Sequence, residues 1–211
     1  MVKMLSIHDY KDPFEVVDDF EDKLAQYTNA PYVVTTDCCT HAIELCFRYL
    51  LSLNPSVLDN PITIPKKTYL SVPMVFHKLS IPYNLIECEW KNEYNFGFTN
   101  VWDSARILIN NMYKPGQIQC LSFGRTKPLE IGRGGAILLD DKEMYNWLKR
   151  ASYDGRDLSI SPWQAQKEFQ VGYHYMMRPE ECVIGLNKLS NNEVKNTHNF
   201  TYPDLSTCVI K

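Results

Sequence analysis

The sequence predicts a three-layer α/β/α sandwich built around a mostly parallel central sheet, on three grounds. Strand-like and helix-like signals alternate from Tyr32 to Ala151, the pattern that builds parallel sheets covered by helices on both faces. The chain of 211 residues is 45% hydrophobic and 22% charged, which supplies one domain with a core of its own. Thr40, Asp103 and Lys127 each fall where a strand gives way to a loop, and open α/β sheets bind ligands outside the carboxyl ends of their strands.

The elements follow in order. Asp12 before Pro13 reads as an N-cap and first-turn proline, with Phe14, Val17, Phe20 or Glu21, and Leu24 at helical spacing. Tyr32 to Thr36 is β-branched and short, a strand. It runs through Asp37-Cys38-Cys39-Thr40 into an amphipathic helix from His41 to Leu53, with Thr40 at its N-cap. Further strands are expected over Asn60 to Ile64, Ile81 to Cys88, Asn100 to Asp103, Gln117 to Phe123 and Ala136 to Leu139. Helices are expected over Val72 to Leu79, Lys142 to about Ala151 with Met144, Trp147 and Leu148 inward, and from Arg178-Pro179 to Leu189. The segment Glu89 to Phe98 has no assignable period, and Tyr153 to Gln170 is rich in loop signals. Residues 1–189 are expected to form the α/β body, with 190–211 a polar tail.

Charge and composition narrow the partners. The net charge is -3 with basic residues dispersed, so neither nucleic acid nor an anionic membrane is an expected partner. No run approaches the length of a membrane span and the start lacks a signal peptide's apolar core, so a cytoplasmic protein is expected. Seven cysteines without CxxC pairs suit reduced thiols. Cys38, Cys39 and His41 do not match the usual ligand spacings, and no metal is expected.

The densest stretch is Leu121 to Leu139, LSFGRTKPLEIGRGGAILL. A strand stops at Gly124, Lys127 follows on a short polar segment, and Gly132, Gly134 and Gly135 lead into a second apolar run. A lysine desolvated there would have its pKa drawn below about 10.4, the condition for attacking an aldehyde, although a solvated turn lysine has the same appearance. Thr40 either caps its own helix or helps a helix N-terminus hold phosphate. Tyr69, between a strand end and a helix start, is a core or surface tyrosine or a ring that stacks on a flat ligand. Asp103 is a cap or a carboxylate that converges with Thr40 and Lys127 on one site at the strand ends.

Taken in order, these motifs resemble the DegT family of nucleotide-sugar aminotransferases, pyridoxal-phosphate enzymes of fold type I, from about Phe14 to Leu189. The family's Ser-Gly-Thr phosphate turn is matched by Cys38-Cys39-Thr40, and its ring-stacking aromatic residue by Tyr69. Its Glu-Asp-Ala-Ala segment, whose aspartate pairs with the pyridine nitrogen, resembles Trp102-Asp103-Ser104-Ala105. Its Ser-Phe-x-x-x-Lys motif is matched by Ser122-Phe123 and Lys127, followed by Gly134-Gly135. The segment Gly172 to Met177 resembles Gly-x-Asn-Tyr-Arg-Met, which reaches the neighbouring subunit's site.

The resemblance implies pyridoxal 5'-phosphate, with pyridoxamine 5'-phosphate as its aminated form, and Lys127 as the Schiff-base lysine. It implies cofactor contacts from Cys39, Thr40, Tyr69, Asp103, Arg106, Ser122, Lys127 and Met176. An amine for the aldehyde, an anion for the ring nitrogen, donors for the phosphate and a face for the ring are what such a cofactor needs. The expected activity moves an amino group from an amino acid, with glutamate as the expected donor, to a nucleotide-linked keto-sugar in a homodimer. The alternative is a catalytically weak or inactive relative that binds the cofactor or serves as an accessory or structural dimer. Cys39 stands for a glycine of the family pattern, Arg106 for glutamine or histidine, and Met176 for a polar residue. The family's further strand and helix before Val101 and its sizeable C-terminal domain are reduced or absent by this reading.

Overall fold

The computed structural model describes residues 4–196 and 201–209. Its centre is a five-stranded sheet in the order β1-β7-β6-β5-β4, made from Tyr32–Thr36 (β1), Gly135–Leu139 (β7), Ile118–Ser122 (β6), Val101–Asp103 (β5) and Tyr94–Asn95 (β4). Ile62–Pro65 (β2) and Tyr83–Ile86 (β3) pair in parallel as a separate ribbon.

Alternating residues of the sheet feed two cores. On one face Val34, Ile118, Cys120, Ile137 and Leu139 meet Cys39–Leu53 (α2), Ser71–Lys78 (α3) and Lys142–Ser152 (α4). On the other, Val33, Leu121, Ala136 and Leu138 meet Glu15–Thr28 (α1) and Pro179–Ser190 (α5). This two-residue alternation is what a sheet covered on both sides requires, and it gives the three layers.

The sheet is mixed, where the alternation of signals predicts mostly parallel pairing. β5 and β6 run parallel, while β1–β7, β7–β6 and β4–β5 are antiparallel. β1, β5 and β6 therefore share one direction and β4 and β7 take the other. A parallel neighbour needs a long crossover, usually a helix. The connection from β6 to β7 has no helix, and only a tight turn separates β4 from β5.

Two caps are corrected. The N-cap of α1 is Phe14, and Asp12 instead accepts the Phe14 N–H at 2.9 Å, one turn short of the helix. The N-cap of α2 is Cys38, with extended backbone and no side-chain cap, so Thr40 lies within the first turn. On α4 the expected inward residues Met144 and Leu148 are buried, together with Ala151, and Trp147 packs half-buried against the same core. On α1 both Phe20 and Glu21 point in, together with Val16, Leu24 and Thr28.

Two stretches that carry no periodicity are ordered by tertiary contacts. In Glu89 to Phe98, Tyr94 lies in β4 and Trp90 donates its indole N–H to the Lys67 carbonyl at 2.9 Å. In the tail, Asn196 makes a two-way bond with the Leu108 backbone, and Leu205 is buried and donates its N–H to the Lys66 carbonyl at 2.8 Å. Residues 197–200, 210 and 211 of that tail lie outside the described residues.

Candidate active site

A cavity of about 330 Å³ opens at the carboxyl ends of β1, β5 and β6. Each polar group on its wall is placed by the end of an element. Thr40 is in the first turn of α2, Tyr69 in the link from β2 to α3, Asp103 at the end of β5, Ser122 at the end of β6, and Lys127 in the β6–β7 loop. Of the residues singled out in the sequence, Cys39, Thr40, Tyr69, Asp103, Arg106, Ser122 and Lys127 all line it. Met176 does not; it lines a different cavity with Asp18, Glu21, Lys149 and Arg156.

The loop that carries Lys127 is folded by its own backbone. The Lys127 N–H bonds the Gly124 carbonyl at 3.0 Å, and the Phe123 carbonyl receives the N–H groups of Ile131 and Gly132, each at 3.0 Å. The lysine is half-buried at the rim. Gly135 lies so close to the start of α2 that an added Cβ would come within 2.5 Å of the Cys39 nitrogen. Only glycine lets β7 approach the helix N-terminus this closely.

The floor is Asp103, buried at 6% exposure. Its Oδ2 accepts the Tyr94 hydroxyl at 3.0 Å and its Oδ1 the Ala105 N–H at 3.0 Å. Tyr94 is held in turn by Thr68 at 2.6 Å. Burial pushes the Asp103 carboxyl above its ordinary range, opposed by the Ala105 N–H, the charge of Lys127 and the Tyr94 hydroxyl. An anion under that strain is stabilised by a cation placed against it. Cys39 is buried, its thiol directed to the Cys120 carbonyl at 3.7 Å, and burial raises its pKa well above the usual value.

Where α2 meets the cavity, no side chain caps the helix. Thr40 turns its hydroxyl to Ser71 at 2.7 Å instead of to its own helix, which leaves first-turn N–H groups and the positive end of the helix dipole facing the cavity. Arg125 and Arg133 stand exposed on the rim. Asp37, Cys38 and His41 cluster nearby, but the carboxylate is already paired with His41 at 2.5 Å and Arg133 at 2.6 Å. Burial opposes charge on His41, and the bonds to Asp37 and Cys38 outweigh it, raising its pKa to about 9. Asp37, His41 and Arg133 form an ion-pair network that ties the end of β1 to α2 and the glycine turn.

Sequence reasoning missed Trp90, Arg133, Ser71 and Tyr202 on the wall. Arg133 lies inside the glycine-rich turn and was within reach of the motif. Trp90 and Tyr202 arrive from stretches without period, and nothing local marks them.

The fold is that of the fold type I aminotransferases. Sugar aminotransferase CalS13 from Micromonospora echinospora is 15% identical and superposes with a TM-score of 0.66 over 83% of this chain and 60% of its own. PseC of Helicobacter pylori, an aminotransferase involved in the biosynthesis of pseudoaminic acid, is 15% identical with a TM-score of 0.67 over 83% and 57%. NtdA from Bacillus subtilis, solved with bound cofactor PMP, is 17% identical with a TM-score of 0.64 over 91% and 56%. The chain thus spans about 60% of the length of the first of these. Residues 111–201, which contain Lys127, Gly134 and Gly135, match the sequence model of the DegT/DnrJ/EryC1/StrS aminotransferase family. Comparison with curated proteins gives no match.

Proposed function

We propose that the cavity binds pyridoxal 5'-phosphate and that the chain is an aminotransferase, passing an amino group from an amino acid to a keto-sugar carried on a nucleotide. The observation that carries this reading is the convergence of Lys127, the buried Asp103 and the uncapped start of α2 on one cavity. The donor set fits the cofactor: an amine for its aldehyde, a strained anion for its ring nitrogen, and hydroxyl and backbone donors for its phosphate. When bound, pyridoxal phosphate supplies the electron sink and carries the amino group between donor and acceptor.

The chain's own groups do the rest. Lys127 Nζ would hold the cofactor's aldehyde carbon, and the same amine would take and return the proton at the donor's α-carbon. Asp103 keeps the ring nitrogen protonated, anchored by Tyr94 and the Ala105 N–H. Thr40, Ser122 and the first turn of α2 orient the phosphate, and Tyr69 offers a ring face. The donor leaves as its 2-oxo acid and the acceptor ketone leaves as the amine, so no outside oxidant is needed. Glutamate is the donor proposed, and two copies of the chain form the working unit.

The test is a visible spectrum of the purified protein with pyridoxal phosphate, before and after glutamate. A yellow protein that bleaches with glutamate is expected, and borohydride reduction followed by peptide mapping should place the cofactor on Lys127. Lys127→Ala should lose the yellow band and multiple turnover yet still bind pyridoxamine phosphate, while Lys142→Ala, on an exposed helix start, should match the parent protein. Attachment at another lysine would overturn the assignment. A yellow protein that does not respond to any amino donor would favour the alternative, a cofactor-binding accessory dimer.

A further inference from the structure

We propose that Tyr202, delivered by the C-terminal segment, is a positioning residue of the candidate active site: it forms part of the cavity's outer wall and sets the attitude of the Tyr69 ring. The inference rests on the pyridoxal-phosphate reading above.

Tyr202 is half-buried between exposed neighbours, Thr201 and Pro203. Its ring stacks on Trp90 with centroids 5.6 Å apart and planes 24° apart, and meets Tyr69 edge-on at 6.4 Å and 71°. Trp90 packs at 4.9 Å on Tyr94, whose hydroxyl holds Asp103. A run of aromatic contacts therefore leads from the exposed Tyr69 to the buried carboxylate on the cavity floor. Tyr202 and Trp90 also line a neighbouring cavity of about 290 Å³, so the stacked pair partitions the two spaces.

The segment is fastened where it carries the ring. Lys66 Nζ bonds Asp204 at 2.8 Å and Glu87 at 2.5 Å, and the Lys66 carbonyl receives the Leu205 N–H. Leu205 is buried and the Asp204 carboxylate caps the following turn through the Ser206 N–H at 3.0 Å. The Lys66 amine beside Asp204, with the Ser206 bonds, lowers that carboxyl to about 2. Tyr69 itself is 58% exposed, and an exposed ring must lose rotational freedom before it can stack on a ligand. A fixed edge from Tyr202 removes part of that cost in advance.

Pyridoxal phosphate titrated into the full chain, followed by visible absorption and visible circular dichroism, tests this with Tyr202→Ala and Tyr202→Phe. Thermal melts run alongside check that each variant is folded. Tyr202→Ala is expected to bind about three- to tenfold more weakly with an altered dichroic band, and Tyr202→Phe to restore both. Unchanged affinity and dichroism in Tyr202→Ala overturn the proposal and leave the cofactor reading standing, and an equal loss in Tyr202→Phe overturns the role of the ring. Parent protein that binds no pyridoxal phosphate overturns both readings. If Tyr202→Ala does not fold, Lys66→Met combined with Leu205→Ala, which removes the ion pair and the buried anchor and keeps the ring, should show a weakening in the same direction, and unchanged binding there overturns the proposal.

Discussion

Asp103 shows how one residue is costly for the fold and useful for the site. Its carboxyl is buried and raised, so the ionised form is less favourable in the folded chain than in the unfolded one. The sign follows from linkage: that cost is absent well below the ordinary carboxylate range and grows as pH rises through the raised folded value. Asp103→Asn should therefore leave the cofactor-free chain as stable or more stable at neutral pH, read as an equal or higher melting temperature. The same change should lower the transamination rate by at least about ten- to a hundredfold, the equivalent of one charge-assisted hydrogen bond. A lower melting temperature, or an undiminished rate, would refute the role given to this carboxylate.

Glu21 shows how elements are locked together. Its Oε1 accepts both the backbone N–H and the hydroxyl of Thr35 in β1, at 2.7 and 2.9 Å, and its Oε2 receives Lys149 of α4 at 2.8 Å. One carboxylate thus joins α1, β1 and α4, which explains why a charged residue sits on the buried stripe of α1. Burial works against charge on Lys149, and Glu21 and Asp18 outweigh it and raise the amine's pKa. Glu21→Ala leaves that amine largely buried with only the exposed Asp18, and should cost about 3 to 5 kcal/mol in chemical denaturation. Glu21→Gln, which keeps an acceptor for Thr35, should cost less.

At the scale of the whole molecule, the segment between α4 and α5 presents Leu158, Ile160, Trp163, Phe169 and Val171 with 41% to 78% of their surface exposed. The segment leads into the Gly172 to Met177 motif, and its exposed apolar groups are the surface proposed for self-association. A homodimer burying on the order of 2,000 Å² or more is proposed. Sedimentation should give twice the chain mass, and Trp163→Asp with Phe169→Asp should shift it to the single-chain mass. A monomer that still binds the cofactor with full affinity would refute the assembly.

The amino-acid sequence alone determined what depends on neighbours in the chain. Among the described residues, helical and strand periods place the five α-helices and every strand of the sheet except β4 within a few residues, because periodicity is local and follows from which face must be buried. Residues at strand ends were legible for the same reason: Thr40, Asp103, Ser122 and Lys127 each sit where a period stops. Tertiary structure alone decided the strand directions, since a long loop and a crossover look alike until the strands are paired. It also decided the cap of α2, where Thr40 turns to Ser71. The wall made by Trp90 and Tyr202 is the clearest case: the two residues stand in stretches without period, 112 positions apart in the chain. Their stacking is set by the ion pair and backbone bond at Lys66 and by the burial of Leu205, contacts that no local pattern encodes.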